Sequence, residues 1–240
     1  MVDHRHGVAT EIARFHAAVR DLDLPVPSCP QWQVRHVVQH LGTVHRTFRR
    51  VAVEGWMRRP PDPDPDDRPA AEDDAVVAWA REQADKLLDA IDQLDPNAPR
   101  WNFSPGPQIG AFIPRRMHLE TAIHRWDLEL ADGTPGTIAA DIAADGVEEY
   151  LEVYLPRSGP WSGEQATVLV RPDGARSIAV TLQPGDLARV TIGRVRTADL
   201  LLQGPADQLL LALWGRQALD PLVAHDAGGL ADALLAFGYR

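Results

Sequence analysis

His40, Glu120 and His124 combine the residue types and spacings in this sequence with the most chemistry in them. Glu120 and His124 form a Glu-x-x-x-His pair within RRMHLETAIHRWDLEL. On a helix, positions i and i+4 lie one above the other on the same face, so the two side chains would project together. His40 lies in a second helix-like stretch, WQVRHVVQHLGTVH, near the start of the chain. Alone, it reads more readily as a partly buried helix histidine bonded to a neighbour. An antiparallel neighbouring helix carrying it would complete a cluster of two imidazoles and one carboxylate. That set suits a catalytic zinc, whose fourth position stays open for water or substrate. Cys29 is the only cysteine, so any metal must be held by nitrogen and oxygen.

Around this trio, spacing sorts the remaining candidates. His36 is one turn before His40 and is open between a fourth ligand, a supporting hydrogen-bond donor and an exposed residue. His45 is five residues after His40, about 140° around the helix, and should point elsewhere. Asp127 is at i+3 from His124. It either orients that imidazole through the second ring nitrogen, as metal histidines require, or forms an ion pair with Arg125 or a neighbouring helix. His4, His6, His16, His118 and His225 have no partner spacing and read as ordinary. Trp32, Trp126 and Trp214 read as core or cleft wall. Arg216, ending LLLALWGR, is a candidate for binding a cofactor or substrate carboxylate by a bidentate fork; the competing reading is an Arg at a helix C-terminus. Cys29, held between Ser28 and Pro30 in a connector, reads as structural.

The elements that must position these residues follow from periodicity. Residues about 5–20 place Val8, Ile12, Phe15 and Val19 at helical spacing. DLPVPSCPQW is a connector, and a second helix spans about 33–57. The Pro/Asp tract at 60–68 reads as a surface loop, because proline removes backbone donors. A third helix is expected over about 73–94 and a fourth over about 109–131, closed by ADGTPGT. Four helices with intervening loops make a four-helix bundle the simplest architecture for residues 1–135. Residues 136–240 change character. A helical stretch over about 139–155 precedes four runs of strand character, QATVLVRP, SIAVTLQP, ARVTIGR and ADLLLQG, separated by turns. PADQLLLALWGR and AGGLADALLAFGY read as helices. The expected class is α+β, with a small α/β domain built on an antiparallel sheet after the bundle.

Composition excludes several classes. The 240 residues are 45% hydrophobic and 24% charged, ordinary for a soluble globular chain with one large or two modest cores. A net charge of −10 argues against nucleic-acid binding, which needs a basic surface to displace counterions. The longest apolar run, Leu209 to Trp214, is far shorter than the ~20 residues of a membrane span. The first residues lack the apolar core of a secretory signal, and a lone cysteine fits a reducing cytosol. A cytoplasmic monomer or small homo-oligomer, with no membrane partner, is the expectation.

CPQWQVRHVVQHLGTVHR and RRMHLETAIHRWDLEL, in that order, resemble the two metal motifs of the mycothiol-dependent maleylpyruvate isomerase family of actinobacteria. GTPGTIAADIAADGVEEYLEVYLPR and ADLLLQGPADQLLLALWGR are similar to its linker helix and C-terminal domain. The resemblance implies a DinB-like helical bundle, metal ligands at His40, Glu120 and His124, and a C-terminal domain related to sterol-carrier-protein folds. It implies divalent zinc and mycothiol as cofactors, with a small molecule as substrate. In the family's isomerase the thiol adds to the double bond of maleylpyruvate, the bond rotates, and the thiol is expelled to give fumarylpyruvate; other relatives use the thiol for transfer. Two departures concern the lining of the site. His36 stands where many relatives carry an acid, and Leu119 stands directly before Glu120 where they carry histidine. Two rival readings use the same ligands: a hydrolase with an activated water, and a non-enzymatic metal- or thiol-binding protein.

Overall fold

The computed structural model describes residues 2–61, 68–71, 74–193 and 197–238, so most of the Pro/Asp tract at 60–68 and the expected start of the third helix at residue 73 lie outside the described residues. Two compact units divide the chain, Met1–Thr137 and Ile138–Arg240.

The first unit holds α1 (His4–Ala18), α2 (Val34–Glu54), α3 (Ala75–Gln93) and α4 (Phe112–Ala131). Local signals set their ends. Asp3 caps α1 by accepting the backbone N–H of His6 at 3.2 Å. At the start of α2 the backbone N–H of Gln33 donates to Nδ1 of His36 at 3.0 Å, completing a capping box. α2 stops at Gly55, whose φ of 69° is the left-handed conformation that glycine adopts without a Cβ clash. α2 packs chiefly on α3 and α1 on α4, with α2 also against α4. The close approaches occur where no side chain intervenes: a Cβ on Gly42 would strike Trp79, and one on Gly7 would strike the ring of His118.

The bundle core comes as two apolar clusters. One gathers Val8, Ile12, Phe48, Leu87, Ile91 and Met117. The other gathers Phe15, Val37, Leu41, Val76, Ala80 and Leu128. Buried polar residues fall between them along the helices: His45 between Leu41 and Phe48, Gln83 between Ala80 and Leu87, and Thr121 and His124 between Met117 and Leu128. Arg125, fully buried on α4, joins this layer to α1. Its Nε donates to Glu11 at 2.6 Å, Nη1 to Glu129 at 2.6 Å and Nη2 to the Thr137 carbonyl at 3.1 Å. All three faces of the guanidinium are thereby satisfied, which a buried charge requires.

The second unit begins with α5 (Ala140–Glu149), which runs into a π-helical turn (Tyr150–Tyr154) and a 3-10 turn (Leu155–Ser158). Strands β1 (Ala166–Pro172), β2 (Ile178–Leu182), β3 (Arg189–Ile192), β4 (Leu200–Gly204) and β5 (Val223–Asp226) form one sheet in the order β3-β2-β1-β4-β5. α6 (Ala206–Leu213) and α7 (Leu230–Phe237) complete the unit. The four strands and two helices expected from the sequence form, giving the α+β class. The sheet is mixed rather than antiparallel, because β1 and β4 pair in parallel from Val168–Leu200 to Pro172–Gly204. The reason is topological. The β1–β2–β3 meander leaves the chain running in the direction of β1, and it returns to the far side of β1 without reversing. β5, short and mostly unburied, pairs antiparallel with β4.

His16 and His45 give the bundle a pH signature. Loss of solvent on burial, with Arg81 adding to it against Asp85, pushes His16 down to about 4. Burial, then the charge of His16, pushes His45 down to about 3. Both rings therefore stay neutral in the folded chain while the unfolded chain protonates near 6.5. The contribution of these two rings should be complete above pH 6.5 and fall as the pH drops toward 4, at about 1.4 kcal/mol per pH unit per histidine. Urea melts across that window should show the loss, and His45→Gln should flatten it by one proton. A flat profile in the native sequence would contradict neutral burial.

Candidate metal centre

His40 on α2 and Glu120 and His124 on α4 bring their donor atoms within 4.8 Å of one another. Nε2 of His40 is 3.1 Å from Oε1 of Glu120, and Nε2 of His124 is 3.4 Å from the same oxygen. A tetrahedral ion with ligands at 2.0–2.1 Å sets neighbouring donors about 3.3 Å apart. The spacing of these atoms is therefore one that a single small cation can bridge. His40 is the most exposed of the three, with 34% of its side chain accessible against 15% for Glu120 and 7% for His124, so the cluster opens on its side.

The surrounding residues fix the trio. Arg116, itself buried one turn before Glu120, donates Nη2 to the carboxylate oxygen that faces away from the imidazoles, Oε2. Burial alone would raise the pKa of Glu120; the Arg116 charge and the bonds to His124 and His40 overcome it and hold the carboxyl well below its ordinary range. Asp127, at i+3, accepts from Nδ1 of His124 at 2.9 Å and takes the Ser28 hydroxyl on its other oxygen at 2.6 Å. His124 thus presents Nε2 to the cluster while Nδ1 is held, the orientation that ligating histidines use. Burial lowers the imidazole's affinity for a proton, but the bonds to Asp127 and Glu120 outweigh it and push His124 up to about 8.

The connector supplies the roof. Residues 25–33 fold into a tight turn in which Val26 donates to the Trp32 carbonyl at 2.9 Å and Trp32 to the Cys29 carbonyl at 2.8 Å. The turn delivers Ser28 to Asp127 and lays the Trp32 ring over the imidazoles, 5.1 Å from His40 and 6.3 Å from His124 between ring centres. Cys29 is partly buried and packs against the Phe15 and Val37 cluster. His36 gives Nδ1 to the α2 cap and stands outside the cluster. His45 stands outside the donor cluster but beside it in the buried layer, with Nε2 3.2 Å from the Thr121 hydroxyl and the charges of Glu120, His40 and His124 acting on it. His4 and His118, which spacing had left ordinary, face each other with Nδ1 atoms 3.2 Å apart. No short-range signal links residues 114 positions apart; only the packing of α1 on α4 does. Arg216 lies in the second unit, donating Nη1 to the Trp214 carbonyl at 3.0 Å and stacking on that ring at 5.8 Å.

Family models match both units: the mycothiol maleylpyruvate isomerase N-terminal domain over residues 6–129 and the MDMPI C-terminal domain over residues 141–235. The chain belongs to the mycothiol maleylpyruvate isomerase family. The fold of this family member is similar to a crystal structure of the mycothiol-dependent maleylpyruvate isomerase, with a TM-score of 0.60 and 13% identity over 90% of this chain and 89% of that one. At that identity the likeness shows the fold. Comparison with curated proteins returns no match. Among the described residues no helix is long and apolar enough to cross a membrane.

The held imidazole yields a prediction. In the metal-free protein His124 is protonated up to about 8. Its raised value contributes stability that is complete below about pH 6.5 and lost as the pH rises through 8. Asp127→Asn removes the first of the two bonds that raise it, so an NMR titration of the metal-free variant should place His124 lower than in the native sequence. An unchanged titration would remove Asp127 from its assigned role.

Proposed function

We propose that this family member is a metal-dependent enzyme that uses a low-molecular-weight thiol, mycothiol, in an isomerase or thiol-transfer reaction on a small molecule, with His40, Glu120 and His124 as the metal ligands. The observation that carries the reading is the convergence of two imidazoles and a carboxylate from α2 and α4 within 4.8 Å of one another, with both imidazole–carboxylate distances close to the edge length of a tetrahedral ion. The donor chemistry of two imidazoles and a carboxylate favours zinc. Such an ion would supply a Lewis acid able to keep a thiol deprotonated at neutral pH.

The chain's own residues do the rest. Arg116 occupies one oxygen of Glu120 and keeps the carboxylate ionised, leaving the other oxygen free to ligate. Asp127, anchored by Ser28, sets the ring plane and tautomer of His124. Trp32 closes one side of the site with an apolar wall, which excludes water beside the reacting groups and leaves entry on the His40 side. Three protein ligands would leave a fourth position for water or substrate, as in catalytic rather than structural zinc sites.

Metal analysis and turnover test this together. The native protein should carry about one divalent ion per chain. His40→Ala, Glu120→Gln and His124→Ala should each lose most of it. Isomerisation of maleylpyruvate, or transfer to an electrophilic substrate, should require added mycothiol. Equal metal in all four proteins would discard the ligand assignment. Turnover that is unchanged without thiol would discard the thiol and favour hydrolysis.

A further inference from the structure

A groove beside α2 and α3, at the opposite end of α2 from His40, has the composition of an anion site. It encloses about 520 Å³ and is lined by Arg49, Val53, Lys86, Asp89, Leu94 and Arg100, among others. Three cations against one carboxylate is an unusual balance for a chain of net charge −10. Arg49 is nine residues after His40, which places it about 13 Å further along the helix axis and about 180° around it. The groove is therefore separate from the candidate metal centre.

The states of the three cations differ in a way that matters. Arg100 is fixed: Nε donates to the Ala52 carbonyl at 3.0 Å and Nη1 to the Pro99 carbonyl at 2.8 Å, so its charge is held at the rim. Lys86 reaches back to Glu82 at 2.6 Å on an exposed helix face, a contact easily exchanged for another anion. Arg49 has its Nε buried with no hydrogen-bond partner among the described residues. Glu54, on which the Arg49 charge also acts, is already engaged by Arg50 at 3.0 Å and by the Trp56 indole at 2.6 Å. Arg49 as a residue is only half-buried and lines the groove, and an oxyanion there would pair with its guanidinium in the fork geometry that arginine offers. Beside the cations, Val53, 63% exposed, joins Ala52, Ala90 and Leu94 in an apolar wall.

We propose that this groove binds a small organic oxyanion, a carboxylate or phosphate carried on an apolar body, with Arg49 as its principal contact, Lys86 and Arg100 as flanking charges and the Val53 wall against the body. The assignment is independent of the metal reading, because its residues and its face of α2 are different.

Calorimetric titration of the full chain with phenyl phosphate, benzoate and inorganic phosphate tests it, with circular-dichroism melts confirming that each variant is folded. Phenyl phosphate or benzoate should bind one per chain, more tightly than inorganic phosphate, and more weakly as salt rises. Arg49→Gln should weaken the binding at least about tenfold and Lys86→Gln severalfold, while His40→Ala should leave it unchanged. The outer position of Lys86 makes its variant safe for folding, so the two substitutions cannot both fail for that reason. Absence of saturable binding at millimolar ligand, or binding untouched by Arg49→Gln, would overturn the site. Binding that vanishes in His40→Ala and survives in Arg49→Gln would place the anion at the metal centre instead. Inorganic phosphate binding as tightly as phenyl phosphate would overturn the role of the apolar wall.

Discussion

A carboxylate inside a helical bundle must be compensated, and in this protein the compensation of Glu120 by Arg116 governs the arrangement of everything near it. Both residues lie on α4 one turn apart, so the pair forms within a single helix and needs no long-range closure. With one oxygen committed to arginine, the other faces His40 and His124 at hydrogen-bonding distance. An unpaired acid at this depth would take up a proton and lose its power to ligate. The pair is therefore the condition for the cluster. The cost of burying Arg116 is borne by the same contact, and the neighbouring helix turn repeats the device with Arg125 between Glu11 and Glu129.

The polar layer shapes the bundle as a whole. Two apolar clusters lie on either side of it, and the helices cross it at His45, Gln83, Thr121 and His124. A continuous apolar core would hold the helices more tightly. The layer gives part of that up and gains a place where donor atoms can meet inside the protein, with His16 and His45 kept neutral by loss of solvent. Stability is consequently tied to pH from both sides, by buried rings that resist protonation and by a held ring that resists losing its proton.

Much of this was legible in the residues. Helical periodicity and stop signals placed four helices in the first unit, and i, i+4 spacing put Glu120 and His124 on one face. Spacing also offered Asp127 as a support for His124. Contacts that depend on which helices become neighbours were not legible. The facing rings of His4 and His118, the bond from Ser28 to Asp127 and the capping role of His36 arise from packing or from end geometry, for which a pattern along the chain carries no sign. In the second unit the strands were readable from β-branched alternation, but the parallel pairing of β1 with β4 was not, because alternation is blind to strand direction. The short β5 lacks the apolar run that marks a strand.

The turn at residues 25–33 has a consequence for how such a protein diversifies. The clustered side chains of His40, Glu120 and His124 sit on long helices whose positions are locked by the core, whereas the Trp32 ring above them comes from a short loop closed by its own backbone bonds. Ceiling and floor are thus encoded in separate pieces of sequence. The loop can be exchanged, lengthened or reshaped to admit a different molecule while the bundle beneath keeps its grip unaltered, so selectivity can drift without chemistry having to be reinvented.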